Sequence, residues 1–412
     1  MHHWNNSKPL FVLCRYLRGI AAVIAVSIAA SADAQDWETV NFIQHSLYQA
    51  VNSDGTSAYP PYPGGFPIRL RGVVLNNTED WLDPTAAYDP GVHPFEFGGQ
   101  AEYYVQAVDL TGEPWDDGDF GGTAVWMGQN YGNHPFHLDP DYSYTDADWY
   151  AELDRLRIWR PGTTTSPLVR AGMLVEVRAR GGLYFSGKMN VNEMHTNDPS
   201  NDYEIVILDE AYGLPTPTSI TLADVKDAAD TPIFDSTRAT GGELYQSTLV
   251  EIENVQFVDP SGWGTDSDLV LTDETGRTLD IHLGFNDSFL SQTAPEGWFN
   301  VVGIMDQKDY GGTGGYRLLA MNAADFEPLS RPGDFDHDGD VDGTDFLFWQ
   351  RGFGTDYDAS GLADWQIYFG TTPVTAAVGF EPVPEPALLA LLASGALMLL
   401  AGGYRSCRRR MP

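Results

Sequence analysis

Six aspartates between positions 334 and 345 carry the clearest chemistry in this 412-residue chain. The run reads Asp-Phe-Asp-His-Asp-Gly-Asp-Val-Asp-Gly-Thr-Asp, with carboxylates at loop positions 1, 3, 5, 9 and 12 and glycine at position 6. A hard cation such as Ca²⁺ takes roughly six to eight oxygen ligands, and a loop of this pattern supplies them. The predicted ligands are the side chains of Asp334, Asp336, Asp338, Asp342 and Asp345, and the backbone carbonyl of Asp340. Val341, at position 8, is predicted to pack into the hydrophobic core of the small domain that contains this loop.

The residues around this loop resemble a dockerin repeat, which lacks the helix before the loop and carries aspartate at position 12. Asp345 stands at that position, and the segment that follows it has a helical pattern. Three aromatic residues fall on one face of this helix: Phe346, Trp349 and Phe353. The resemblance implies calcium as the cofactor and a cohesin-like protein as a partner. A solvated acidic linker is the alternative, but it would not keep this phase of carboxylates.

The sequence after the first loop does not contain a second complete calcium-loop pattern. Trp365-Gln-Ile-Tyr-Phe-Gly370 repeats Trp349-Gln-Arg-Gly-Phe-Gly354 at an offset of 16 residues, which is too short for a second full loop and helix. The nearby acids do not reproduce the loop spacing: Asp356, Asp358 and Asp364. We therefore expect a degenerate second site, and a single calcium that stiffens this segment because metal binding adds to folding free energy.

The N-terminal end predicts export. Residues 1–18 carry three basic residues and no acid, and a short apolar run follows. Ala32 and Ala34 then form the small-residue cleavage site of a secretory signal over residues 1–34. An uncleaved N-terminal anchor is the alternative interpretation.

The C-terminal end combines Pro384-Glu385-Pro386, an apolar stretch from Ala387 to Tyr404 and four arginines. About 18 apolar residues just cross a hydrocarbon core, and the arginines should stay on the cytoplasmic side. Residues 384–410 thereby resemble the PEP-CTERM sorting signal of bacteria. The resemblance implies a transmembrane helix, an exosortase-type protease as partner, removal of the tail, and delivery to the cell surface or extracellular matrix. A plain tail anchor is the alternative.

Charge and cysteine content restrict the function of the processed chain. Both cysteines, Cys14 and Cys407, lie in the end segments, so disulfides and thiolate sites are not expected between them. Residues 35–386 keep 16 basic and 57 acidic residues, a net charge of −41. This acidity disfavours nucleic acid and anionic membrane surfaces, because binding phosphate requires clustered Lys and Arg.

Linkers rich in proline and glycine divide the middle of the chain. They predict a β domain at 35–214, a second at 219–328, the dockerin-like module at 333–370 and a linker at 371–383. Each β domain offers about five runs of strand-like composition and one helix. The strands are predicted at Ile68–Leu75, Glu102–Val108, Thr123–Gln129, Leu174–Ala179 together with Leu183–Val191, Tyr203–Leu208, Leu249–Val258, Leu269–Thr272, Thr278–Leu283, Phe299–Asp306 and Arg317–Met321, and the helices at Asp146–Leu156 and Leu222–Ala228.

These patterns predict a mainly β fold with two small five-stranded OB-like barrels, then a short helical calcium module and a C-terminal transmembrane helix. The second domain resembles the OB-like accessory modules of extracellular bacterial proteins. The segments that carry this likeness are Leu249–Phe257, Leu271–Thr275, Val301–Ile304 and Tyr316–Leu319. The first domain resembles them more weakly and has an insertion from Leu110 to Phe120. A β-sandwich is the competing architecture.

No catalytic constellation stands out in the sequence. His134 and His137, with Asp139, are the best remaining metal candidates, but two histidines without a third strong ligand favour a structural role. Six tryptophans could stack on sugars, although core positions are more usual for them: Trp81, Trp115, Trp126, Trp149, Trp263 and Trp298. We expect a non-catalytic, exported surface or matrix protein. A polysaccharide-active or glycan-binding component of a larger assembly is the alternative, and an accessory subunit of an extracellular nuclease is a third.

Overall fold

The computed structural model describes residues 35–80, 100–110, 118–128, 146–160, 162–193, 200–309, 311–329, 332–336 and 340–370. The chain divides into a unit of residues 1–37 and a larger unit that begins at Glu38, which contains every feature discussed below. The predicted signal peptide and sorting tail lie outside the described residues. Among the helices within these ranges, none has the length and apolar character needed to cross a bilayer.

The first sheet has seven strands in the order β5-β6-β3-β2-β1-β4-β7. Their bounds are β1 (Ile68–Val74), β2 (Gln100–Gln106), β3 (Gly122–Gly128), β4 (Leu174–Ala179), β5 (Gly182–Phe185), β6 (Lys188–Asn192) and β7 (Glu204–Asp209). Two helices accompany this sheet, α1 (His45–Tyr48) and α2 (Asp146–Arg155). The prediction of one strand over Leu183–Val191 is wrong, because the chain turns at Ser186 (φ 52°) and Gly187 (φ 87°). Two successive positive φ angles are what a tight hairpin requires, so β5 and β6 pair with each other.

The second sheet also has seven strands. They are β8 (Thr218–Ile220), β9 (Leu249–Phe257), β10 (Ser267–Thr272), β11 (Thr278–Leu283), β12 (Phe299–Gln307), β13 (Tyr316–Ala320) and β14 (Phe326–Pro328). The circuit β9-β10-β11-β13-β12 returns to β9, since β12 pairs with both β13 and β9. The chain is therefore mainly β and contains a closed five-stranded barrel.

Five further helices are α3 (Leu222–Val225), α4 (Gly241–Tyr245), α5 (Ser288–Ser291), α6 (Gly343–Gly352) and α7 (Ala359–Tyr368). The helix predicted at Leu222–Ala228 ends early, because Lys226 has extended backbone angles (φ −132°, ψ 137°). The helix predicted at Asp146–Leu156 corresponds closely to α2.

The first sheet repeats the pairings of the second. Strands β1, β2, β3 and β6 follow the path of β9, β10, β11 and β13, including the parallel pair β3–β6 that corresponds to β11–β13. β4 pairs with β1 and β5 pairs with β6, and only Arg180 and Gly181 separate β4 from β5. Together they occupy the position of the long strand β12. β7 pairs with β4 as β14 pairs with β12.

Each sheet encloses its own apolar core, and a third apolar cluster joins the two sheets. This joining cluster brings Tyr104 and Ala124 of the first sheet, with Leu75, against Leu249, Ile304 and Leu319. Burial of these six side chains gives the two sheets a shared hydrophobic interface.

A buried ion cluster lies at the same interface. Asp306 of β12 is fully buried and accepts hydrogen bonds from Lys188 Nζ (2.6 Å), Arg317 Nε (2.8 Å) and the Tyr104 hydroxyl (3.0 Å). Burial alone would raise the pKa of Asp306, but the two cations outweigh it and hold the pKa below its usual range. Lys188 and Tyr104 belong to the first sheet, so this carboxylate links the two sheets.

Candidate metal centre

The start of α6 positions the C-terminal half of the aspartate loop. Asp342 is the N-cap, and its Oδ1 accepts a hydrogen bond from the backbone N–H of Thr344 (2.6 Å). Asp345, three residues on, accepts one from the backbone N–H of Asp342 through Oδ2 (2.7 Å). This reciprocal capping box places loop positions 9 and 12 side by side. Val341, which directly precedes Asp342, is fully buried, as predicted for loop position 8.

Asp345 also holds the N-terminal half of the loop. Its Oδ1 accepts hydrogen bonds from the backbone N–H groups of Phe335 (2.7 Å) and Asp336 (3.2 Å). The Asp345 side chain is fully buried and Asp334 is only 4% exposed. One buried carboxylate therefore draws both ends of the loop together.

Five of the six predicted calcium residues converge around Asp345. Asp334, Asp336 and Asp345 form one group of carboxylates, and Asp340, Asp342 and Asp345 form another, each with one oxygen per residue within 4.8 Å of the others. Oxygens on opposite sides of a Ca²⁺ ion are at most about 5 Å apart, so the spacing fits such an ion. The carboxylate of Asp340 belongs to the second group, although the loop pattern predicted only a backbone contribution from it. Asp338 lies outside the described residues.

The segment after the loop is built from two matching halves. Asp358 caps α7 through a hydrogen bond from the Ser360 backbone N–H (2.8 Å), 16 residues after the corresponding bond at Asp342. Trp349 Nε1 donates to the carbonyl of Asp358 (2.8 Å), and Trp365 Nε1 donates to the carbonyl of Asp342 (2.6 Å). Each half therefore clamps the N-terminus of the other half's helix. The repeated Trp-Gln motif was the sequence signal for this arrangement.

The second half lacks the groups that would bind a metal ion. Gly361 occupies the position that corresponds to Asp345, and a Cβ there would lie 2.9 Å from Phe335 Cζ and 3.1 Å from Trp349 Cδ1. In the described part of this segment, the metal-compatible carboxylate groups all include Asp345 and none includes Asp358 or Asp364. Within the described part of residues 333–370, the geometry therefore offers one cation site, around Asp345.

A third acidic group has a different explanation. Glu152, Glu193 and Asp202 lie close enough together to hold a metal ion. However, the Arg155 guanidinium lies between them, 2.5 Å from Glu152, 2.8 Å from Glu193 and 3.9 Å from Asp202. These carboxylates in turn raise the pKa of Arg155, although its burial opposes the shift. We interpret this group as a structural ion cluster.

Sequence reasoning did not single out Glu243, whose pKa is strongly perturbed. Burial raises the pKa of Glu243 to about 7, even though the Tyr316 hydroxyl donates a 2.8 Å hydrogen bond to it and Arg238 lies nearby. Such shifts often mark catalytic groups. Glu243 lies in α4, just before the second sheet, and is fully buried, so a substrate has no access to it and we assign it a structural role. Only its tertiary surroundings distinguish it from the other acids.

The remaining candidates divide between core positions and residues outside the described ranges. Trp126, Trp149 and Trp298 are buried, which agrees with the core role expected for them. Trp263 is half-buried and packs against Phe289 with ring centroids 5.2 Å apart. The following predicted residues lie outside the description: Trp81, Trp115, His134, His137, Asp139, Ala32, Ala34, Pro384, Glu385 and Pro386.

Comparison with known proteins does not assign the chain to a family. No protein-family model matches the chain, and a search of curated proteins also found no match. Its function must therefore be inferred from its own residues and their geometry.

Proposed function

We propose that this chain is a non-catalytic, exported protein of the cell surface or extracellular matrix. Two OB-like barrels serve binding or adhesion, and a dockerin-like calcium module connects them to a PEP-CTERM sorting tail. The observation that carries the proposal is the convergence of four aspartates on a fifth, Asp345, at the start of α6. Like charges this close repel one another, a bound cation would offset that repulsion, and Ca²⁺ suits an all-oxygen ligand set.

Strand order supports the OB-like assignment of the barrels. The circuit β9-β10-β11-β13-β12-β9, with β11 and β13 parallel, is that of a five-stranded Greek-key barrel. The first sheet follows the same path, with α2 between its third and fourth strands.

Two matching halves support the dockerin-like assignment of residues 333–370. The capped helices α6 and α7 and the reciprocal tryptophan bonds fit a duplicated module, and only the first half keeps its ligands. A cohesin-like protein is a candidate partner on this proposal. The sorting tail, with an exosortase-type protease as partner, rests on the sequence of residues 384–410 alone.

A glycan-binding role within a larger assembly is the second candidate function. A groove of about 860 Å³ lies beside the second barrel, with Phe257, Trp263 and Phe289 as its apolar part and Gln292 and Glu296 as polar groups. A concave surface with aromatic and hydrogen-bonding side chains suits a sugar ligand.

The calcium claim is tested by competition between the full chain and a fluorescent calcium chelator. Asp345→Ala should abolish tight binding, because it removes the carboxylate shared by both groups. Asp342→Ala should weaken binding by at least about tenfold. The matched control is Asp358→Ala, which removes the equivalent helix cap at a similar cost of about 1 kcal/mol but no ligand.

Equal calcium affinity in Asp342→Ala and Asp358→Ala would contradict the proposal. The export claim has its own test, the replacement of Pro384, Glu385 and Pro386 by alanine in a host that carries an exosortase. The wild-type chain should reach the cell surface, whereas the variant should stay in the inner membrane. Identical fractionation of the two chains would refute the sorting assignment.

A further inference from the structure

Two segments of the chain form the groove beside the second barrel. The first lies at the end of β9 and in the connection to β10, and contributes residues between 256 and 263. The second leads from α5 to β12 and contributes residues between 289 and 297. The groove volume of about 860 Å³ lies within the range of roughly 300–1,000 Å³ that is usual for ligand sites.

A tryptophan held by its neighbours forms the apolar part of the groove. Trp263 packs edge-on against Phe289 and Phe326, with ring centroids 5.2 and 5.1 Å apart. Its Nε1 donates a hydrogen bond to the carbonyl of Gln292 (2.9 Å), which joins the two segments. Leu290, which also lines the groove, is 68% exposed. A ligand that packs on this surface therefore meets side chains that lose little further freedom on binding.

The charged side chains among the described lining residues are both carboxylates. Asp259 belongs to the first segment and Glu296 to the second, and both are exposed. Asp259 caps the short turn before Trp263, because its Oδ1 accepts a hydrogen bond from the backbone N–H of Ser261 (2.9 Å). Hydrogen bonds from Ser261 lower the pKa of Asp259, so this carboxylate is ionised at neutral pH. The described lining is thus negative and contains no lysine or arginine.

This charge selects among the sugars that an aromatic groove could hold. An anionic polysaccharide would meet like charges, and a neutral one would gain nothing from them. Residues 35–386 carry a net charge of −41, so the field of the whole chain also attracts cations. An ammonium group forms charge-assisted hydrogen bonds with carboxylates and is attracted to the face of an indole ring. Charge complementarity therefore favours a sugar that carries amino groups.

We propose that this groove binds a polysaccharide with protonated amino groups, such as a polymer of glucosamine. The ammonium groups pair with Asp259 and Glu296, and the apolar face of a sugar ring packs on Trp263. The inference rests on the glycan-binding role described above as the second candidate function, and it names the class of sugar. It does not depend on the calcium loop.

Isothermal titration of the full chain with a glucosamine hexamer at slightly acidic pH tests the inference. The hexamer of N-acetylglucosamine is the matched neutral ligand, and wild type should bind it at least about tenfold more weakly. Added salt should weaken binding of the glucosamine hexamer, because the carboxylates are exposed to solvent.

The variant that removes both charges is Asp259→Asn/Glu296→Gln, which should bind the glucosamine hexamer about tenfold or more weakly. Asparagine keeps an oxygen that can accept the hydrogen bond from Ser261, so the turn before Trp263 is retained. Asp280→Asn is the matched control, because it removes an exposed carboxylate of β11 in the same barrel but outside the groove. Its effect should stay below about twofold. Trp263→Ala should also weaken binding, and the exposed acids carry the test if that variant melts early.

Equal affinity for the two hexamers, or for the double variant and Asp280→Asn, would overturn the inference. If the acetylated hexamer binds and requires Trp263 but neither acid, the glycan-binding role stands and a neutral sugar replaces the amine. Hexalysine bound as tightly as the glucosamine hexamer would overturn the sugar in favour of any polycation. If neither hexamer binds, the amine assignment is wrong, and titration with neutral glucan oligosaccharides then decides the glycan-binding role separately.

Discussion

Replacement of Asp306 by alanine should sharply destabilise the protein. This carboxylate is fully buried and is shared by Lys188 and Arg317, whose side chains are only 7% and 13% exposed. The Tyr104 hydroxyl completes the cluster at 3.0 Å. Asp306→Ala would leave two nearly buried cations close together and a cavity at the interface between the sheets.

Removal of one partner from a buried ion pair costs about 3–5 kcal/mol. A folded domain has a total stability of only about 5–15 kcal/mol, so this loss is a large share of it. Because the folded-state pKa of Asp306 is lowered, its stabilisation is present above the unfolded pKa of about 4 and is lost as the pH falls. The difference in the free energy of unfolding between wild type and Asp306→Ala should therefore become smaller below about pH 4.

Urea unfolding followed by circular dichroism measures the effect as a lower midpoint at unchanged slope. Asp154→Ala is the control, because Asp154 pairs with Arg160 at 2.6 Å but is 37% exposed. Screened surface pairs of this kind contribute about 0–1 kcal/mol. If Asp306→Ala shifts the midpoint no more than Asp154→Ala does, the buried carboxylate does not hold the two sheets together.

Glu243→Gln should raise the melting temperature at pH 8 but not at pH 4. Burial raises the pKa of Glu243 to about 7, so ionisation of this carboxyl at higher pH destabilises the fold by up to about 3 kcal/mol. Calorimetry at the two pH values checks this, and equal shifts at both would contradict it. Gly122→Ala should cost about 1–3 kcal/mol, since its Cβ would lie 2.0 Å from the Ser247 carbonyl oxygen. Thermal melting should reveal this loss. The control is Gly343→Ala, whose Cβ would meet nothing within 4 Å and which should be neutral or slightly stabilising. Equal melting temperatures for the two variants would refute the proposed clash.

Much of the secondary structure could be predicted from composition and turn residues. Val- and Ile-rich runs bounded by glycine or aspartate indicated the strands, and β1, β4 and β11 match their predicted ranges closely. The hairpin at Ser186-Gly187 was missed because serine seldom signals a positive φ. Closure of the barrel in the second sheet depends on β12 pairing with β9, which is distant in sequence, and such non-local pairing leaves no periodic signal in the sequence.

The candidate site was more predictable than its surroundings. Local spacing alone indicated the loop, since five aspartates and the cap of α6 lie within 12 residues. The reciprocal hydrogen bonds of Trp349 and Trp365 join residues from opposite halves of the segment. The repeated Trp-Gln motif indicated a duplication but did not predict these bonds. Asp306 and Glu243 were indistinguishable among 58 acidic residues, because burial and neighbouring cations are properties of the folded chain.

Isothermal titration of the metal-free full chain with calcium tests the central claim most directly. Each half of residues 333–370 has one helix and one tryptophan bond to the other half, but among their described residues only the first half brings carboxylates together. We predict one calcium per chain, with binding lost in Asp345→Ala. No calcium uptake, or tight uptake that survives in Asp345→Ala, would contradict the account.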